Sequence, residues 1–224
     1  MRTLDLSVYV VLDRDFTAGR SFLAVAAAAI RGGATVLQLR DKSSDIRRFY
    51  ADAVALQDVA RTASIPFIVN DRVDIALAID ADGVHVGEDD LPVEATRRLI
   101  GPEKFVGASA GSVDAARAAI AAGADHLGVG PVYEARNTKG DAGPPLGLTL
   151  VRAIAAFSPI PIVGIGGITI ENASAVIAVG ASGVAVISTI GLAPDIEAAT
   201  RNLALSVGAV LEPPSPPSPS GRQR

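Results

Sequence analysis

Residues 36–42 read Val-Leu-Gln-Leu-Arg-Asp-Lys. In extended chain the side chains alternate faces, so Val36, Gln38, Arg40 and Lys42 share one side while Leu37 and Leu39 share the other. The leucine face is apolar and suits burial. The opposite face ends in an amide and two cations, a combination that suits an anion. The rest of the chain reads as the scaffold that aims this strand, together with seven others, at a common point.

Outward from this stretch the same unit recurs in both directions. Before it, residues 8–12 form a β-branched apolar run ending at Asp13 and Arg14, followed by a helix-like segment at 21–30 and the turn Arg31-Gly32-Gly33. After it, Ser43 and Ser44 are candidate N-caps for a helix running to about residue 62. A strand at 65–69 closes on Asn70-Asp71, a short helix follows at 73–79, and a strand at 83–86 closes on Gly87-Glu88-Asp89-Asp90. Pro92 opens the next helix at a favoured first-turn position. A fifth strand at 104–108 ends at Ser109 and is followed by a helix at 112–122; a sixth at 125–129 ends at Gly130-Pro131. Beyond it lie a long loop at 132–147, a helix at 148–157, and a seventh strand at 160–163 that runs into Gly164-Ile165-Gly166-Gly167. A helix at 171–179, an eighth strand at 183–187 and a helix at 195–207 complete the pattern.

Eight alternations of strand and helix predict a single α/β domain, a (β/α)8 TIM barrel over residues 1–210, because connections of this length join parallel strands by right-handed crossovers. A doubly wound open sheet is the competing architecture. Polar residues after nearly every strand, rather than at one switch point, favour closure. Three weak repeats, AIRGGA, AIAAGA and VIAVGA, each precede a strand, with glycine ending the helix. Residues 211–224, rich in proline and serine, are expected to form a disordered tail.

Composition narrows the chemistry. The chain is 49% hydrophobic with 22 glycines, which suits packed parallel strands and small-residue helices. Its net charge of -4 and lack of tryptophan supply neither a basic field nor a stacking platform for nucleic acid. No cysteine is present, which excludes disulfides, thiolate metal sites and a cysteine nucleophile and fits a reducing cytoplasm. Apolar runs are too short to span a bilayer, and Asp5 and Asp13 interrupt any signal peptide, so a soluble cytoplasmic protein is expected.

The strand ends collect Asp13; Gln38, Arg40 and Lys42; Asn70 and Asp71; Asp89 and Asp90; Ser109; Thr138 and Lys139; then Gly164, Gly166 and Gly167; then Ser188 and Thr189. Residues in phase with the βα pattern at so many strand ends predict one polar mouth. The glycines of the seventh end and the helix start after Ile187-Ser188-Thr189 suit a phosphate; the other reading is a tight turn alone. Asp71 and Asp90 suit Mg²⁺ shared with a diphosphate, which needs only a few carboxylates beside water and phosphate oxygens. Helix capping is the other reading for Asp71, and the preferred one for Asp89. Arg40 and Lys42 either meet a ligand or form ion pairs at the rim; Gln38, facing inward, would be unsatisfied without a partner, which favours a ligand. His85 reads as a hydrogen-bonded core histidine, and His126, at the base of the sixth strand, is assigned no function. No Ser-His-Asp set or zinc spacing is present.

Taken together and in order, QLRDK, VNDR, GVHVGEDDLP, GASA, GVGPVY with a following TK, IVGIGGIT and VAVIST resemble the thiamine phosphate synthase family. The resemblance covers residues 9–190 and implies a barrel, usually a homodimer, that condenses 4-amino-2-methyl-5-hydroxymethylpyrimidine diphosphate with 4-methyl-5-(2-hydroxyethyl)thiazole phosphate. The products are thiamine phosphate and diphosphate, formed by a Mg²⁺-assisted dissociative substitution without a protein nucleophile. By the same resemblance Gln38, Arg40, Lys42 and Asn70 contact the pyrimidine diphosphate, and Ser109 contacts its ring or its diphosphate. Asp71 and Asp90 are the Mg²⁺ ligands, Thr138 and Lys139 belong to a loop over the substrate, and Gly167, Ile187 and Ser188 hold the thiazole phosphate. The residues expected to act on the reacting diphosphate are Arg40, Lys42, Ser109 and Lys139.

Three positions depart from the family pattern. Glu88 stands where glutamine is common, Gly111 where histidine is usual, and the loop reads EARNTKGDAGPP in place of the usual PTxTK. The nearest rival is the thiazole tautomerase, which would lack the metal aspartates and use a histidine near the fifth strand. A non-catalytic barrel that binds a phosphorylated ligand is the rival from another class.

Overall fold

A computed structural model describes residues 4–134 and 144–211. Eight parallel strands close into a barrel in sequence order: β1 (Val8–Asp13), β2 (Val36–Arg40), β3 (Phe67–Asn70), β4 (Gly83–Val86), β5 (Phe105–Ala110), β6 (His126–Val129), β7 (Ile162–Ile165) and β8 (Gly183–Val186), with β8 pairing back to β1. The helices between them are α1 (Phe22–Arg31), α2 (Ile46–Thr62), α3 (Val73–Ala78), α4 (Val93–Ile100), α5 (Val113–Ala121), α6 (Gly147–Ala155) and α7 (Ala173–Ala178). The four-residue α8 (Ser188–Gly191) and then α9 (Ile196–Leu211) follow β8. The open sheet is thereby excluded. Among the described residues no helix is long and apolar enough to cross a membrane.

Strand alternation sorts the core into two layers. Leu37, Leu39, Val10, Leu12, Phe67 and Val69 face outward and pack under the helices, while Tyr9, Val11, Val36, Ile68, Val163 and Ala185 fill the barrel. Leu37 and Leu39 are wholly buried, each contributing roughly 2 kcal/mol by removal from water. The helices answer with apolar stripes; α1 buries Phe22, Val25, Ala26 and Ala29, the helical spacing of one face. The repeated alanine-glycine elements have one cause: Gly33, Gly123 and Gly180 take positive φ just past α1, α5 and α7, the conformation that ends a helix without a Cβ penalty.

Some expected details differ. The α2 cap is Asp45, whose carboxylate accepts from Arg47 and Arg48 N–H groups; Ser43 and Ser44 donate instead to Asp41. Asp89 does not cap α4, which begins after Pro92 with no side-chain cap. β5 extends through Ala110 and so includes Ser109, and α9 includes Leu211. Residues 212–224, the rest of the expected tail, lie outside the described residues.

Candidate active site

The site is built from the C-terminal ends of the strands. Register puts Asp13 beside Arg40 and Val11 beside Gln38, and the Asp13 carboxylate accepts from the Arg40 guanidinium. Lys42, further along the same face, comes within 3.6 Å of Asp71. Between the two cations, Asp41 turns the other way. Its side chain is 1% exposed and accepts from Arg14 and from the backbone and hydroxyls of Ser43 and Ser44. Burial opposes its charge, but these donors outweigh burial and hold the carboxyl well below the usual carboxylate range. The loop that carries Arg40 and Lys42 is thus pinned from behind.

Contrary to what its inward position suggested, Gln38 is not left unsatisfied. Its Nε2 donates to the Tyr9 hydroxyl at 2.8 Å, so this amide has an internal partner and does not by itself demand a ligand.

At the ends of β3 and β4, Asp71 and Asp90 are close enough for each carboxyl to shift the other. Asp71 occupies a left-handed conformation, φ 62°, uncommon for a residue with a Cβ. Its N–H donates to the His85 carbonyl at 2.8 Å, which fixes the turn. The Asp90 carboxylate accepts from the Gly87 N–H at 2.8 Å. Burial, then the neighbouring Asp90, push Asp71 up to about 6, against the pull of Lys42 and Arg40. Asp90 is also raised by burial, but its interactions with Asp71 and the Gly87 N–H outweigh that and lower it. Two acids forced together in this way are suited to a shared cation. The pair fits Mg²⁺, which takes a few carboxylates and leaves its other positions to water and phosphate oxygens. Among the described residues no group of three or more histidines or carboxylates offers a complete metal cage.

Below the rim a chamber of about 140 Å³ opens into the barrel, lined by Gln38, Arg40, Asn70 and Ser109 above Tyr9, His85 and His126, with Val11, Val163, Ile165, Ala185 and Ile187 as apolar wall. His85 Nε2 lies 3.1 Å from Ser109 Oγ, so the expected hydrogen bond is present. His126, expected at the base with no role, turns its ring into this chamber. Burial pushes His85 down to about 4 and His126 down to about 3, so both are neutral at physiological pH. Glu88 and Gly111, two of the departures from the family pattern, touch: the Gly111 N–H donates to the Glu88 carboxylate at 3.2 Å.

A larger cavity, about 690 Å³, lies over the ends of β7 and β8 between Gly166-Gly167-Ile168-Thr169 and Ile187-Ser188-Thr189. Ile187 precedes α8 and supplies no side-chain cap, so the first N–H groups of that turn have no intrahelical acceptor. Gly166 and Gly167 have φ of 94° and 62°, and a Cβ on Gly167 would stand 2.7 Å from the Glu134 carbonyl oxygen and 2.8 Å from Tyr133 Cβ. The glycines therefore do form a tight turn with a close backbone approach, and the turn also borders the cavity. Asn172 braces it, donating to the Gly167 carbonyl at 3.0 Å while accepting from Thr169 N–H at 2.8 Å. Ala185 and Ile187 line both cavities, so the two share a wall. Thr138 and Lys139, expected over the mouth, lie outside the described residues.

Gln38, Arg40, Lys42, Asn70, Asp71, Asp90, Ser109, Gly167, Ile187 and Ser188 thus all gather at the strand ends of one face. Tyr9, absent from the expected set, and His126, expected to have no role, also line the chamber; period two along β1 and β6 points both inward.

Comparison with known proteins accords with this arrangement. Residues 8–190 match the family model described as thiamine monophosphate synthase. A thiamine-phosphate synthase of Chloroflexus aurantiacus is 50% identical, aligned over 93% of this chain and 96% of its own. One of Moorella thermoacetica is 50% identical over 88% of this chain and 93% of its own. The solved structure of thiamine phosphate pyrophosphorylase from Pyrococcus furiosus superposes with a TM-score of 0.85 at 38% identity, covering 93% of this chain and 98% of that one.

Proposed function

The chain belongs to the thiamine monophosphate synthase family, and from that premise we propose that it is the transferase that joins a hydroxymethylpyrimidine diphosphate to a thiazole phosphate, giving thiamine phosphate and diphosphate. The observation that carries this reading is the wall of Ala185 and Ile187 shared by the two cavities. One cavity is rimmed by cations and the other by glycine backbone and the start of α8, so two anionic substrates enter separate places and meet with their reacting atoms adjacent. Holding both reactants in one geometry removes much of the entropic barrier.

In this reading the pyrimidine ring occupies the chamber beside Gln38 and Asn70, and its diphosphate lies across Arg40, Lys42 and Ser109, with Thr138 and Lys139 added from the loop. Asp71 and Asp90 would hold Mg²⁺, which when bound neutralises charge on the diphosphate oxygens. Arg40 arrives already oriented by Asp13 and Lys42 lies beside Asp71, so little reorganisation is needed as charge develops on the leaving group. The bond from the pyrimidine methylene to diphosphate breaks first, the aminopyrimidine spreads the cation, and the thiazole nitrogen then attacks the methylene carbon. The apolar wall of the chamber keeps water from that cation. Gly167, Ile187 and Ser188 hold the thiazole phosphate through backbone N–H groups.

Purified protein given both precursors and Mg²⁺ should form thiamine phosphate, and EDTA should stop it; no product under those conditions overturns the reading. A cytoplasmic location and a homodimer accompany it. The exposed Ile46, Tyr50 and Val54, spaced along one face of α2, supply an apolar surface suited to a second copy, which light scattering would test.

A further inference from the structure

The barrel interior below the mouth contains two histidines that the reaction described above does not use directly. Asn70, His85, Gly107 and His126 are successive register partners across β3, β4, β5 and β6. The rings of His85 and His126 therefore stand on either side of Gly107, with centroids 5.7 Å apart. A Cβ on Gly107 would sit 2.4 Å from both His85 Nδ1 and His126 Nε2, so the two nitrogens approach each other over the bare backbone of this glycine. Neither nitrogen has a hydrogen-bond partner among the described residues, and neither does His126 Nδ1. His126 is 1% exposed.

A neutral imidazole has one N–H to donate and one lone pair to fill, and burying either unsatisfied is costly. The chamber they border, about 140 Å³, is roomy and polar enough for ordered water. The chemistry above the histidines decides the direction of the hydrogen bonds. A serine that meets an anionic substrate must donate its hydroxyl proton to it and accept from behind. His85 Nε2, 3.1 Å from Ser109 Oγ, is then the protonated nitrogen, and His85 Nδ1 is a bare lone pair in the barrel core that needs a donor.

We infer that a buried water bridges His85 Nδ1 and His126 Nε2, donating to the first and accepting from the second, and that His126 is a positioning residue for the pyrimidine diphosphate, acting through His85 and Ser109. The chain of donors runs from His126 N–H through water, His85 N–H and the Ser109 hydroxyl to the substrate. Gly107, with no Cβ, lets the two nitrogens face each other, and the water stands on the side of the chamber that both rings line. The inference rests on the reading of Ser109 as a contact to the diphosphate substrate.

The chain has 2 histidines, so ¹⁵N-histidine labelling gives two imidazoles, and in His126→Phe the remaining one is His85. The wild type should show His85 as the Nε2–H tautomer alone, and His126→Phe should show it mixed or reversed. The same variant should raise KM for the pyrimidine diphosphate about tenfold with KM for the thiazole phosphate unchanged, and His126→Gln, which restores a donor, should recover most of the loss. A His126→Phe protein with normal KM and an unchanged His85 tautomer overturns the inference, even if its Tm moves, because that is the behaviour of core packing alone. Should His126→Phe fail to fold, His126→Leu, which removes the donor with less bulk, must show the same tautomer and KM changes. A Ser109→Ala variant with normal KM would strike the site reading itself, whereas an unchanged tautomer in His126→Phe strikes this inference alone.

Discussion

The Asp71 carboxylate lies 3.6 Å from the Lys42 ammonium at the end of β3 and close enough to Asp90 for each acid to shift the other, so the pair favours sharing one proton or one cation. Burial and Asp90 push Asp71 up to about 6, so below that pH a metal ion must displace a proton. Apparent Mg²⁺ affinity should be flat above about pH 6 and fall by about tenfold for each unit below it. The sign for folding is opposite: the metal-free fold binds this proton more tightly than the unfolded chain does, so its stability declines as pH rises from 3.8 to about 6. Titration calorimetry in buffers of different ionisation heat would measure the released proton. An affinity that does not change across this range would refute the shared-proton arrangement.

Replacing either carboxylate separates catalysis from folding. Asp71→Asn removes one of two opposed acids, so turnover should fall by orders of magnitude while Tm holds or rises slightly. Arg40→Ala should lose turnover on the same scale, with a rise in KM for the pyrimidine diphosphate. Steady-state kinetics beside thermal melts would decide it, and near-normal turnover in both variants would show that the reacting diphosphate does not lie at this rim.

The closed barrel was legible because its signals are local: alternation along the strands, glycine after α1, α4, α5 and α7, and polar residues at most strand ends. The set of residues at the mouth was legible for the same reason, since each residue follows its own strand. What escaped was partnership across the chain. Gln38 meets Tyr9 from the neighbouring strand, and nothing within the QLRDK stretch announces that hydroxyl. Ser43 and Ser44 look like helix caps in isolation, but Asp41 captures both hydroxyls and the cap passes to Asp45. His126 does stand at the base of its strand, as the first residue of β6, but register across Gly107 brings its ring beside His85. Barrel closure and register set these pairings, and neither is a property of a sequence window.

Asp41 gives a stability prediction. Its carboxylate is buried, ion-paired with Arg14, and accepts from Ser43 and Ser44. Asp41→Ala leaves those donors without an acceptor, though the part-exposed Arg14 keeps Asp52 as a second partner, so the expected loss is about 2 kcal/mol. Because the folded carboxyl is held below its unfolded value of 3.8, the wild-type contribution is present above that pH and is lost as pH falls below it. Urea unfolding of both proteins at neutral and acid pH should therefore give curves that converge in acid; a gap that persists there would contradict the assignment.

Arg20 ties the cavity over β7 and β8 to the first strand's loop without lining the cavity itself. Its guanidinium donates to the carbonyls of Thr17 at 2.9 Å, Gly191 at 2.9 Å and Ala193 at 2.8 Å, closing the C-terminal end of α8, whose N-terminal end borders the cavity. At the same junction Gly191 packs so close that a Cβ would meet the Phe16 carbonyl oxygen at 2.1 Å. A helix of one turn has too few internal hydrogen bonds to hold its own orientation, so these three contacts set how the N–H groups of Ser188 and Thr189 face a phosphate. Arg20→Ala should raise KM for the thiazole phosphate about tenfold and leave KM for the pyrimidine diphosphate and turnover at saturation near normal. Arg20→Lys, which can satisfy one carbonyl but not three, should fall between. If both KM values rise together, the clamp serves the whole mouth; if neither changes, α8 is held by its packing against β1 and α9 and Arg20 is dispensable.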